Sequence, residues 1–123
     1  MIIPTLKYKD AKAAIDFLER AFGFERHAVH EVDGVVGHAE LRHGDGVVML
    51  GTVGQGDPQF ETSHSSIYVV VEDPDALYER AKTAGAEISR ELQDMDYGSR
   101  EFSAKDPEDN AWSFGTYDPL TAG

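Results

Sequence analysis

The 123-residue chain contains no cysteine. That absence removes disulfides, thiol nucleophiles, zinc–thiolate centres and iron–sulfur clusters together. Positive charge is also scarce: 11 Lys and Arg stand against 23 Asp and Glu, for a formal charge of −12. A field of that sign repels phosphate backbones and anionic headgroups, so no nucleic acid and no membrane is expected as a partner. No apolar run approaches the roughly 18 residues that a membrane helix needs, and Met1-Ile2-Ile3-Pro4 does not read as a signal peptide. The expectation is a soluble, cytoplasmic protein. Also missing are a nucleophile elbow, a phosphate-cradling loop and a dinucleotide fingerprint; Gly51-Thr52-Val53-Gly54-Gln55-Gly56 follows a strand without opening a helix. What is present is 41% apolar residues, enough for the core of one domain. Two independent halves of about 60 residues each would sit near the lower limit of unaided folding.

The chain nevertheless repeats itself. Residues 2–24 (IIPTLKYKDAKAAIDFLERAFGF) and 65–86 (SSIYVVVEDPDALYERAKTAGA) both run strand, Asp, amphipathic helix, Gly. Asp10 and Asp73 suit helix N-caps, and Pro74 suits a first helical position. Ala14, Leu18, Ala21 and Phe22 recur with helical spacing, as do Leu77, Ala81 and Ala84. Gly23 and Gly85 can adopt the left-handed conformation that closes a helix. The pattern predicts helices over 11–22 and 74–84.

Three strand-like runs follow each helix: 24–32, 35–43 and 46–51, then 86–93, 99–105 and 111–117. Asp33-Gly34 and the 44–46 stretch signal hairpins, and 106–110 (DPEDN) supplies the last turn. Each half therefore reads β-α-β-β-β. The expected fold is α+β: two tandem βαβββ modules whose curved, mostly antiparallel sheets enclose a cleft. Module one covers about 1–51, a Gly-rich polar linker about 52–63, and module two about 64–118, within one domain. Period-2 alternation puts Trp112 and Phe114 on one face, with Ala111, Ser113 and Gly115 on the other. Ile67, Val69 and Val71 likewise oppose Ser66, Tyr68 and Val70. The apolar rows belong under the helices, leaving the mixed rows to line a ligand-sized cleft.

The segments YKDAKAAIDFLERAFGF, VEDPDALYERAKTAGAEI and DYGSREFSAKDPEDNAWSFGTY together resemble the vicinal oxygen chelate superfamily, in its glyoxalase/bleomycin resistance protein-like branch. The resemblance spans about 2–118 and is most specific at Gly98, Arg100, Glu101, Phe102, Asp106, Pro107, Asn110 and Trp112. Asp109 stands where the family usually has Gly, and Asp tolerates such turn conformations better than most residues. The resemblance implies paired modules, commonly a homodimer, and often a site built between modules of different chains.

In the family's enzymes four side chains, His, Glu or Gln, hold a divalent metal. Carried over one at a time, those positions fall on Ile3, Met49, Ser66 and Ser113. Isoleucine offers no donor atom, methionine a soft thioether and serine a neutral hydroxyl, whereas such a metal wants carboxylates or imidazoles. The chemistry of these four residues therefore argues against the metal that the resemblance would bring, and no cofactor is expected. The cleft is expected to be lined by Ile3, Thr5, Met49, Ser66, Tyr68, Arg100, Ala111 and Ser113.

Catalytic candidates are His38 and Glu40, which share a strand face and suit acid–base work, and His64, two residues before Ser66, as a displaced metal ligand. Solvated positions are the blander reading for all three. Arg100 either clamps an anionic ligand group or pairs with Glu101, Glu40 or Asp96. The leading expectation is a metal-free protein that binds a small organic molecule, cationic ones included, in an inter-module cleft. The alternatives are a metal-dependent or acid–base lyase, isomerase or dioxygenase, and an interaction module.

Overall fold

The Asp10 carboxylate accepts from the Ala13 N–H at 3.1 Å and opens α1 (Ala11–Phe22). Asp73 does the same for the Ala76 N–H at 3.1 Å and opens α2 (Pro74–Thr83), with Pro74 in the first turn. Each satisfies a backbone donor that the helix itself leaves free. Gly23 closes α1 at φ 77°. Ala84 caps α2 and is followed by Gly85 at φ 84°. These relationships come from a computed structural model that describes residues 1–55, 59 and 64–121. Most of the expected linker lies outside the described residues.

The strands are β1 (Thr5–Tyr8), β2 (Glu25–Val32), β3 (Val35–His43), β4 (Gly46–Thr52), β5 (Ser66–Val70), β6 (Glu87–Asp94), β7 (Arg100–Lys105) and β8 (Ala111–Gly115). They form two four-stranded sheets, ordered β1-β4-β3-β2 and β5-β8-β7-β6. In each sheet the opening strand pairs in parallel with the last, and the other pairs are antiparallel. The chain is thus an α+β fold of two βαβββ modules. The repeat extends to register: Thr5 pairs with Met49, and Tyr68 with Ser113. Pro4 gives its carbonyl to the Met49 N–H at 3.0 Å but has no N–H to return, so β1 begins at Thr5 and Ile3 precedes it.

Turn chemistry follows the sequence. Asp33 and Gly34 both take positive φ (53° and 76°), as a two-residue hairpin of the right twist requires. Asp109 takes φ 66° in the final hairpin, the left-handed conformation expected of the family's glycine. Among the described residues no helix is long and apolar enough to cross a membrane.

The core belongs to both modules. Leu18, Phe22, Leu41 and Leu50 from the first join Ala81, Phe102, Trp112 and Phe114 from the second in one buried cluster. Phe22 lies 4.8 Å from Phe114 and 5.8 Å from Trp112, ring centre to ring centre, and Phe24 lies 5.4 Å from Trp112. Phe24, expected to start a strand, is instead a buried plug at this seam.

Polar bonds cross the seam as well. The Arg80 guanidinium donates to the carbonyls of Glu19 (2.9 Å) and Arg20 (3.0 Å), tying α2 to the end of α1. The Glu108 carboxylate accepts from the Lys9 and Asp10 N–H groups at 2.7 and 2.9 Å. Two halves too small to fold well alone thus complete a single core. Because the helix-side faces meet there, the opposite face of each sheet is left open, and the two sheets do not close on each other within the chain.

Candidate functional site

The residues expected to line one cleft divide between these two open faces. Cross-strand partners point to the same side of a sheet. On the first sheet the register aligns Thr5, Met49, Glu40 and Ala28 in one row across the four strands. A hollow of about 410 Å³ lies there, lined by Ile3, His27, Glu40, Arg42, Val47 and Met49 among others. Its floor is apolar and its wall charged.

The His38 ring Nε2 is 3.0 Å from Glu40 Oε2, and His27 Nε2 is 3.9 Å from Oε1. His30 stacks on His38 at 6.1 Å. The hydrogen bond from His38 holds the Glu40 carboxyl below the usual carboxylate range, and the charges of the neighbouring histidines add to this. The sequence pairing of His38 with Glu40 is therefore a real contact. His64 is exposed ahead of β5 in the other module.

On the second sheet the row is Tyr68, Ser113, Ser103 and Arg90. The Ser103 and Ser113 hydroxyls are 2.7 Å apart. Tyr68 donates its phenol proton to the Tyr117 carbonyl at 2.8 Å, and burial pushes that phenol's pKa up. Ser66 pairs with Ala111 one step along.

Beside this row lies a carboxylate absent from the expected lining. The Glu101 side chain is only 5% exposed, and it accepts from Arg90 Nη2 and from the Tyr97 hydroxyl, both at 2.8 Å. Gly115 makes room for it. A Cβ there would stand 2.5 Å from Glu101 Cγ and 2.7 Å from the Tyr68 hydroxyl.

Arg100 occupies the other side. Its guanidinium binds Asp75 of α2 through Nε and Nη2, at 2.8 and 3.1 Å, and Asp94 through Nη1 at 3.1 Å. None of the three partners considered from the sequence is the observed one. Strand parity carried the signal: Arg100 shares its face with the buried Phe102 and Ala104, so Glu101 must face the opposite way.

The four positions on which the resemblance places the family's metal ligands do not fit a divalent ion. Ile3 and Met49 lie on one open face, Ser66 and Ser113 on the other, and the Ser113 hydroxyl is already bonded to Ser103. None of the four is a carboxylate or imidazole.

Comparison with known proteins covers both modules. The sequence model of the Glyoxalase/Bleomycin resistance protein/Dioxygenase superfamily matches residues 4–114. An uncharacterized protein of Mycobacterium bovis is 37% identical over 121 residues, spanning 91% of this chain and 80% of its own length. The crystal structure of TioX from Micromonospora sp. ML1 superposes with a TM-score of 0.84 at 31% identity, covering 94% of each chain. A glyoxalase I mutant from Zea mays, at 21% identity and a TM-score of 0.73, shares the fold over 95% of this chain and 45% of its own. With its twofold βαβββ repeat matched across both modules, the chain belongs to the glyoxalase/bleomycin resistance protein/dioxygenase superfamily.

Proposed function

We propose that this chain binds a small organic molecule without a metal, on the open face of the first sheet completed by the open face of the second sheet of another copy. The single observation that carries the reading is the Thr5–Met49–Glu40 row. Its Met49 and Glu40 line a hollow of about 410 Å³ together with Ile3 and Val47, an apolar floor beside an oriented carboxylate in a ligand-sized space. Ile3, Thr5 and Met49 supply contact area; Glu40, steered by His38, supplies charge. Ser66, Tyr68, Ala111 and Ser113 would come from the second copy, which makes a homodimer the working form. Arg100 has no place in this site, since Asp75 and Asp94 already hold it. The −12 charge favours cationic ligands over anionic ones, and the cysteine-free composition suits the cytoplasm.

The test is calorimetric titration against a chemically broad panel of neutral and cationic molecules, cationic glycopeptides included, beside sedimentation to read the oligomeric state. Saturable binding that is lost in Met49→Arg, at an unchanged unfolding midpoint, supports the reading. Binding indifferent to Met49→Arg, or no binding across the panel, overturns it.

A second reading rests on the 3.0 Å His38–Glu40 pair: an imidazole oriented by a carboxylate can move a proton without a metal. Turnover of a carbonyl substrate that disappears in His38→Gln, while binding persists, would favour an acid–base enzyme.

A further inference from the structure

The chain has five tyrosines, and they divide sharply. Tyr8 and Tyr78 are buried, whereas Tyr68, Tyr97 and Tyr117 are 40%, 55% and 42% exposed. The three exposed rings sit together at one end of the second module. Tyr97 and Tyr117 stand at right angles, interplanar angle 88°, with ring centres 6.2 Å apart. The Tyr68 hydroxyl bonds to the Tyr117 carbonyl. A hollow of about 440 Å³ lies beside them, with Asp118 and Pro119 in its lining.

The ring walls are held in place. Tyr97 rides on a tight turn in which the Met95 N–H donates to the Ser99 carbonyl at 2.7 Å, and its hydroxyl is fixed on the buried Glu101 at 2.8 Å. Ser99, 2% exposed, takes the Tyr117 N–H on its own hydroxyl at 3.0 Å, so one buried residue ties both walls together. Little entropy remains to be lost when a ligand settles against them.

Charge selects the ligand. Asp118 brings a carboxylate to the lining, one oxygen of which accepts from the Leu120 N–H at 2.8 Å, while Arg90 is paired with Glu101 and Arg100 with Asp75 and Asp94. An edge-to-face tyrosine pair lining the hollow beside a carboxylate, with Arg90 and Arg100 already paired, forms an environment that attracts a soft, weakly hydrated cation. We propose that the Tyr97–Tyr117 corner, with Asp118, is a binding site for organic ammonium groups, of the quaternary or methylated kind, on a larger ligand. The proposal rests on the small-molecule reading above and names the group by which such a ligand would be held.

Choline and its neutral isostere 3,3-dimethyl-1-butanol have nearly the same shape and differ in charge, so they separate cation recognition from apolar burial. Titrating each into the full chain, and following the tyrosine ring protons by NMR, should give saturable shifts of Tyr97 and Tyr117 with choline. The isostere should bind about five-fold more weakly or worse. Tyr117→Ala should weaken choline by a similar factor, Tyr117→Phe should retain it, and Asp118→Asn should reduce both its affinity and its salt sensitivity. Equal affinity for the two probes, absence of saturable ring shifts, or choline binding that survives Tyr117→Ala would each overturn the proposal. Met49→Arg separates the two readings: it should abolish panel binding at the first sheet and leave choline binding unchanged.

Discussion

The Tyr8 phenol of the first module donates a 2.6 Å hydrogen bond to the Asp106 carboxylate of the second, with both groups out of water. Asp106 also accepts from Trp112 Nε1 (3.1 Å), from the Asn110 side-chain amide, and from the backbone N–H groups of Glu108 (2.9 Å) and Asn110 (3.1 Å). A buried charge is tolerated because every approach to it is a donor. Burial and the Asp106 charge push the Tyr8 phenol far above its ordinary pKa, so it remains the donor. Tyr8→Phe should lower stability by about 1.5–3 kcal/mol, the usual worth of a bond to a charged group. Urea unfolding should show a lower midpoint at an unchanged slope.

One core predicts one transition. Phe22→Ala removes a ring that touches Trp112 and Phe114 across the seam, and should cost about 3–5 kcal/mol. Fluorescence of the single tryptophan, in module two, and NMR signals from β2 and β3, in module one, should lose structure together. Separate midpoints would show that the modules unfold independently.

Gly115 is required by space, since no positive φ is recorded there. Gly115→Ala would drive a methyl into Glu101 and Tyr68, at about 1–3 kcal/mol. Gly37→Ala, where an added Cβ meets nothing within 4 Å, is the control and should be neutral or slightly stabilising. Thermal melts of the two variants should move apart.

The His38–Glu40 pair has a signature in pH. The folded-state carboxyl of Glu40 titrates below its unfolded value. Its contribution to stability is therefore present above the unfolded carboxyl pKa of about 4.3. It is lost as pH falls through the lower folded value. Carbon-13 NMR of the Glu40 carboxyl should show a depressed midpoint that returns toward normal in His38→Ala. An unchanged midpoint would mean that the contact does not persist in solution.

Local chemistry made much of this fold legible in the sequence. Asp10, Asp73, Gly23 and Gly85 mark helix ends because capping needs only neighbouring residues, and the structure places all four at those ends. The alternation Ala111-Trp112-Ser113-Phe114 sorted inner from outer faces because strand parity is also local. Parity within β7 separates Arg100 from Glu101, but the Arg100–Asp75 pair joins a strand to a helix 25 residues away, which no local pattern bridges. Glu101 stands out in the sequence as a motif residue, but its bonds to Arg90 and Tyr97 depend on tertiary packing that the sequence does not display. The seam between the modules was the hardest to foresee: Phe22 and Trp112 are each ordinary apolar residues of their own elements. Only the tertiary arrangement shows that they pack on each other, and that the expected lining residues divide between two surfaces.

The outer rows of both sheets share no side chain with the common core. Leu50, Ala39, Phe102 and Phe114 point inward, while Met49, Glu40, Ser103 and Ser113 alternate with them and point outward. Core packing and the open surface thus fall on alternate residues of the same strands. An outer residue can be changed without disturbing an inner one, so the chemistry of the open faces can drift through Met49, Glu40, Ser103 and Ser113 while the architecture stays as it is.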